Sequence, residues 1–349
     1  MGMIGVVSAL ASVARSGRMF AQWKHVPSVS TASVLASVLA VVPARDEAMT
    51  LPRLLPGLVG QPGVRVVVVD DASSDGTAAV ARSLGAEVIE SSGPADGWAG
   101  KTHAMHLGVA AAQDEEWLLF VDADVTCTPD LVGRLVASAV ELGADLVSSS
   151  GRGAGPAWWF LLPAFNTLVF EGSPPDGRGP TALAVGHCIL VRRAAFEAAG
   201  GWQALAGTHA DDVGLATLIR DSGGVPRFID ASMLLTTSGI DTFGDCWRSL
   251  RKSIQPAFRE MFGPWGRPLL VAAGLLHLAY GLLPVLRPQS PWSWLAWFAQ
   301  AVPHREFVRR IGQPQASAVL APFAWATIGV FLLDCALRPG AQWKDRRVG

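Results

Sequence analysis

Cysteine is scarce in this chain: Cys127, Cys188, Cys246 and Cys335 stand far apart with no CxxC pair. That pattern excludes a zinc knuckle and a disulfide framework, and it fits a reducing, cytosol-facing compartment. Surplus charge is missing too. With a formal net charge of −1 there is no Lys/Arg excess to neutralise many phosphates, so a nucleic-acid partner is excluded. No GxGxxG motif occurs in the apolar run that ends at Asp70 and Asp71, which removes a dinucleotide-binding fingerprint. The N-terminal stretch MGMIGVVSALASVA is too short for a spanning helix and lacks the leading positive charge of a secretory signal. Residues 1–32 therefore read as an interfacial or truncated anchor.

What the chain has in plenty is hydrophobicity. Half of its residues are hydrophobic (50%), charged residues are few (16%), and the mean hydropathy of +0.33 points to partial membrane residence. From about Ser33 to Ile229, short β-branched runs alternate with helical patterns, the signature of βα units on a mainly parallel sheet. Strands are expected at 38–42, 64–69, 87–89, 117–121 and 145–148, and helices at 50–58, 77–84 and 101–112. The fold class is an α/β, Rossmann-like sandwich, drawn as a domain over 33–262.

A membrane region is drawn over 263–340. Pro268–Leu286 and Ser317–Leu337 are each about long enough to cross a bilayer, the second carrying Asp334. Between them PWSWLAWFAQAVP reads as interfacial or re-entrant, giving two or three hydrophobic segments. Arg305, Arg309 and Arg310 follow it, and Lys344, Arg346 and Arg347 mark a basic tail over 341–349. One of these clusters conflicts with the positive-inside tendency whichever way the middle segment runs, so the number of crossings stays open.

Four stretches carry chemistry. In WLLFVDADVTCTPD, an apolar strand delivers Asp122, Ala123 and Asp124 onto the loop at its end. Carboxylates two residues apart suit one hard cation, Mg2+ or Mn2+, held together with substrate phosphates; a solvated turn is the competing reading. In VRVVVVDDASSDGT, Asp70 and Asp71 end a strand where carboxylates can accept from a base N–H and a ribose hydroxyl. Alternatively they face water while Ser73, Ser74 and Asp75 cap the next helix. GWAGKTHAMHLG puts Lys101 at a helix start, where a cation and free N–H groups meet a phosphate, or where a lysine is simply solvated. THADDVGLATLIRDSGG puts Asp211 and Asp212 in a first helical turn, a place acidic residues favour for dipole reasons. An acceptor hydroxyl needs a base, and with two adjacent carboxylates one can orient while the other takes the proton.

Taken in order, VVPARDE, VVVVDDASSDGT, GWAGKTHAM, FVDADVTCTPD, AVGHCILVRRAAFEAAGGW and HADDVGLATLI resemble the successive blocks of family 2 glycosyltransferases with the GT-A fold. They are most similar to the membrane branch that includes hopanoid-associated and carotenoid glycosyltransferases. The resemblance implies an inverting, metal-dependent transfer from a nucleotide-diphosphate sugar to the hydroxyl of a lipid-like or other hydrophobic acceptor. It places the protein at the cell membrane with its catalytic domain facing the cytoplasm. It implies that Asp71 serves the nucleoside, that Asp122 and Asp124 serve the metal and diphosphate, and that Asp212 is the base with Asp211 beside it. The donor-binding set is then Asp46, Glu47, Asp70, Asp71, Lys101, Asp122, Ala123, Asp124 and Arg251.

The chain departs from the family at three places. The base motif commonly reads Glu-Asp where this chain has Asp211-Asp212. The QxxRW motif of processive members is absent, and DTFGDCWRSLRKS stands in its place, offering Trp247, Arg248 and Arg251 to close over the diphosphate. His187 falls where the branch often has a second glycine and is left unassigned. Two other classes compete. DADVT also matches the nucleophile motif of haloacid-dehalogenase-like phosphatases, although there the motif follows the first strand of the domain; a catalytically inactive, nucleotide-binding membrane scaffold would keep the fold without turnover. Finally, AWWFLLPAFNTLVF is either a core helix or a bilayer-interface segment in which Trp158, Trp159 and Phe160 admit a lipid hydroxyl.

Overall fold

The computed structural model describes residues 2–208, 210–338, 341–343 and 346–348. Lys344 and Asp345 of the basic tail, and His209 of the HADDVG block, lie outside the described residues. Contacts divide the chain into two compact units, Val26–Arg152 with Ser173–Ser238, and Met1–His25 with Gly153–Gly172 and Gly239–Gly349. The apolar segment Gly153–Gly172, inside the stretch expected to be catalytic, thus groups with the terminal helices.

The first unit is built on strands β1 (Val38–Ala44), β2 (Val64–Asp71), β3 (Glu87–Ser91), β4 (Trp117–Val121), β5 (Val125–Cys127), β6 (Leu146–Ser149), β7 (Cys188–Arg192), β8 (Pro226–Phe228) and β9 (Leu235–Thr237). Seven of them form one sheet in the order β3-β2-β1-β4-β7-β6-β8, while β5 and β9 pair separately. Strands β1 to β4 are parallel. The runs Val66–Val69 and Leu118–Val121 are buried along their whole length, as strands covered on both faces must be. Helix Gly100–Val109 lies close on the sheet because Gly108 has no side chain: a Cβ there would come 2.3 Å from Val41 Cγ1.

Strand β7 departs from the parallel pattern. It runs antiparallel to both β4 and β6, with Cys188 opposite Val121 on one side and Ser149 on the other. Its first residue therefore lies at the edge where β1, β2, β4 and β6 end. That edge gathers the loops after four strands, the loop leading into β7, and the first turns of helices Gly100–Val109 and Asp211–Asp221. The helix expected over 50–58 is instead one α-turn, Leu51–Leu54, followed by a 3-10 turn, Leu55–Gly57. Pro52 is tolerated in the first turn, but Pro56 lacks the N–H that a longer helix would use.

The second unit is helical: Gly2–His25, Leu162–Gly172 entered through a π turn at Ala157–Leu161, Phe243–Phe262, Gly266–Leu286, Pro291–Arg310 and Ala321–Leu337. With their flanking turns, Gly263–Leu286 (mean hydropathy 2.1) and Gln315–Leu337 (1.9) are long and apolar enough to cross a membrane. The two pack backbone to backbone through glycine. A Cβ on Gly281 would lie 2.4 Å from Ala326 N, and one on Gly329 2.4 Å from Leu278 N. The middle segment, too short on its own apolar residues to span, is part of a 20-residue helix. Trp158 corrects an expectation: it is 2% exposed and packs over Gly153, so it is a core residue and not an interface anchor, whereas Trp159 and Phe160 are partly buried.

Candidate active site

Asp122 and Asp124 leave the end of β4, where the buried run Trp117–Val121 fixes the strand and Val125 N returns to Asp122 O at 3.2 Å to tighten the loop. Ala123 between them points into the core at 4% exposure, so the two carboxylates share the opposite side. Asp122 does not simply face water. Its Oδ1 is 2.7 Å from Lys101 Nζ, and the same ammonium reaches Asp211 Oδ2 at 3.3 Å. Three sequence blocks, roughly 20 and 90 residues apart, thus converge on one cation. Although burial works against its charge, Asp122 and Asp211 hold the Lys101 ammonium well above the ordinary lysine range.

Asp124 is the strained member of this group. Its Oδ1 is buried with no hydrogen-bond partner among the described residues. Burial, then the charges of Asp122 and Glu47, push its carboxyl up to about 7. A buried carboxyl oxygen with no donor, beside a second carboxylate, suits a bound cation. Among the described residues no three His, Cys, Asp or Glu side chains gather into a metal cage. A hard cation held by two carboxylates and completed by water and substrate phosphate needs no such cage, so Asp122 and Asp124 fit Mg2+ or Mn2+ as a pair.

Asp212 opens the helix Asp211–Asp221. Its Oδ2 accepts from Gly186 N at 3.0 Å and its Oδ1 from Val213 N at 2.7 Å, which fixes the carboxylate plane. Burial, followed by the neighbouring charge of Asp211, raises its pKa to about 6. Lys101 pairs with Asp211 directly, and Asp212, with its raised pKa, is still ionised at neutral pH. Gly186 is a residue the sequence reading missed. A Cβ there would lie 2.6 Å from Lys101 Nζ and 3.4 Å from Asp122 Oδ2, so the cluster closes only around a glycine. The signal was present in the Gly-His step just before the apolar run of β7.

The nucleoside candidates sit at the ends of β1 and β2. Asp71 is 3% exposed, with Arg45 3.8 Å away, and Asp70 accepts from Ser73 N at 3.0 Å. The following helix has Gly76 as its N-cap, and Asp75 before it accepts from Thr77 N at 3.0 Å. Asp46 adopts a positive φ of 51° and accepts from Ser74 N at 2.8 Å, while Glu47 is held through Thr77 and Thr50. These contacts tie the β1 and β2 loops into one rim. Arg251 belongs to the helical unit, where it lies 3.7 Å from Asp334 and donates to the carbonyl of Arg338; Trp247 Nε1 donates to the same Asp334 at 3.1 Å.

Comparison with known proteins agrees with this geometry. The sequence pattern of Glycosyl transferase family 2 matches residues 39–200, which span β1 to β7 and the Asp122/Asp124 loop. Residues 39–200 thus match a family 2 glycosyl transferase domain. The 4,4'-diaponeurosporenoate glycosyltransferases of Staphylococcus aureus strains bovine RF122 / ET3-1 and MRSA252 are similar to it, at 45% identity over 92 residues and 46% over 88 residues. These matches cover 26% and 25% of this chain; the chain spans about a quarter of the length of these curated relatives, 24% and 23%. A mannosyltransferase from Pyrobaculum calidifontis, solved with GDP-Man and Mn2+, shares the fold at a TM-score of 0.60 and 20% identity, over 96% of this chain and 97% of that one. The matched domain has the expected GT-A fold. Its DADVT motif follows the fourth strand, not the first, which removes the phosphatase reading.

Proposed function

We propose that the protein transfers a sugar from a nucleotide-diphosphate sugar to the hydroxyl of a lipid-like acceptor, with inversion at the anomeric carbon. The convergence of Asp122, Asp211 and, through Gly186, Asp212 around Lys101 carries this reading. It puts a diphosphate-binding charge and a candidate base within one cluster.

The donor's nucleoside lies along the β1–β2 rim, with Asp71 accepting from its polar hydrogens. Asp122 and Asp124 hold Mg2+ or Mn2+, which when bound offsets the negative charge that builds on the departing diphosphate. Lys101 adds its own charge to the same group, and Asp211 keeps the ammonium in place. Asp212, fixed by two backbone amides, accepts the proton of the acceptor hydroxyl. The freed oxygen attacks the anomeric carbon as the bond to the diphosphate breaks, so the new glycosidic bond forms on the opposite face.

The acceptor class rests on two supports. The helical unit carries two helices of membrane-crossing length, with Leu269, Leu275, Leu276, Leu286, Phe298 and Val330 exposed. The similar Staphylococcus enzymes are named for a carotenoid acid. The catalytic unit then works on the cytoplasmic face of the cell membrane. A screen of nucleotide release by purified protein, with Mn2+ and several nucleotide sugars, tests the reading. Metal-dependent release from one donor supports it; nucleotide binding without release from any donor would mark the inactive scaffold instead.

A further inference from the structure

Among the described residues His187 brings an imidazole to this cluster, and the backbone decides its tautomer. The register of β7 makes Asp122 and His187 the next pair beyond Val121 and Cys188, and places Ser150 beyond Ser149 on the other side. Gly151 N donates to His187 Nδ1 at 3.2 Å, and Ser150 Oγ lies 3.3 Å from the same atom. A backbone amide can only donate, so Nδ1 is the bare nitrogen and the ring proton sits on Nε2. The ring is near enough to Asp122 and Lys101 to feel both charges. Its Nε2–H has no partner among the described residues, yet it is not sealed in the interior.

We infer that His187 is a donor-sugar binding residue, whose Nε2–H donates to a hydroxyl or ring oxygen of the sugar being transferred. The inference rests on the glycosyltransferase reading above. Four groups at this edge already have defined tasks: Asp122 and Asp124 toward the diphosphate, Lys101 between two carboxylates, and Asp212 against Gly186 N. A neutral donor next to Asp122 and adjoining the Gly186 amide stands between the diphosphate end and the base. The sugar is the part of the substrate that must lie there, and it offers oxygens that accept. With Nδ1 accepting from the Gly151 amide, the ring carries a single proton, on Nε2, and meets the sugar neutral. The Gly186-His187 step thus has two separate tasks: Gly186 leaves room for the ammonium and orients the base, and His187 reads the sugar.

Calorimetry with Mn2+ tests this on the purified full chain, using UDP, GDP, UDP-glucose, UDP-N-acetylglucosamine and GDP-Man as probes. In His187→Ala, affinity for the nucleoside diphosphate should stay within about twofold. The ratio of sugar-nucleotide to diphosphate affinity should fall about tenfold, the scale of one lost hydrogen bond. His187→Gln, which again offers an N–H donor, should recover most of that ratio, and Tm should match wild type in both. Equal loss on diphosphate and sugar nucleotide, an unchanged ratio, or no recovery with Gln at native Tm would overturn the assignment while leaving the glycosyltransferase reading intact. If wild type binds no probe at all, that reading falls and this one with it.

Discussion

Lys101 Nζ stands 2.7 Å from Asp122 Oδ1, and this single ion pair joins the helix start of one sequence block to the strand end of another. The ammonium sits among Asp122, Asp211 and Asp212, and it is the charge that keeps the carboxylates together before any substrate arrives. Lys101→Met should lower the stability of the metal-free protein by about 2 kcal/mol, less than for a fully buried pair because both side chains are partly exposed. Mn2+ should then stabilise the variant more than it stabilises wild type. Thermal unfolding with and without Mn2+ reads both effects; an unchanged metal response would mean that lysine and cation do not share these carboxylates.

Gly186→Ala tests how tightly the cluster is closed. The added methyl meets Lys101 Nζ at 2.6 Å and Asp212 Oδ2 at 3.8 Å, so the long lysine must yield. The fold should survive, since the displaced atom is the end of a flexible side chain. Turnover should drop about a hundredfold, the scale of a displacement near 1 Å in an active site. Native activity at native Tm would show that Lys101 is free to move.

Asp124 and Asp212 reverse the usual pH behaviour of carboxylates. Their folded pKa values, about 7 and about 6, lie above the ordinary value of 3.8. The folded state therefore binds more protons than the unfolded chain between those limits. Their contribution to stability is full below the unfolded value and is lost as pH rises through 6 to 7. Metal-free protein should gain Tm from these groups on acidification from pH 8 to pH 5, and Asp124→Asn should show a smaller gain. A variant with the same slope as wild type would remove Asp124 as the source.

Much of this site was legible in the sequence because its parts lie where periodic patterns end. Asp70 and Asp71 close a valine run, Asp122 follows WLLFV, Lys101 and Asp211 open helices, and the parallel sheet brings those ends to one edge. What stayed hidden depends on the strand that reverses. The antiparallel course of β7 brings Gly186 to Asp212 and His187 beside Asp122, and nothing in the local run CILVR announces its direction. The grouping of Gly153–Gly172 with the terminal helices was equally hidden, because an apolar run packs against a sheet or a helix bundle with the same pattern. The fixed imidazole tautomer required the Gly151 amide, a contact of backbone geometry with no sequence signature.

The account stands or falls on transfer by the Asp212 carboxylate. The measurement is mass-resolved product formation by protein in vesicles containing a polyprenyl alcohol, supplied with Mn2+ and the donor that the screen selects, for wild type and Asp212→Asn. Wild type should add one sugar per lipid with matching nucleotide release. Asp212→Asn should bind the donor nucleotide with nearly unchanged affinity and form product about two to four decades more slowly, the scale for loss of a general base. Product formation by the variant at the wild-type rate, or parallel loss of binding and rate, would contradict the assignment of the base and with it the mechanism proposed for this cluster.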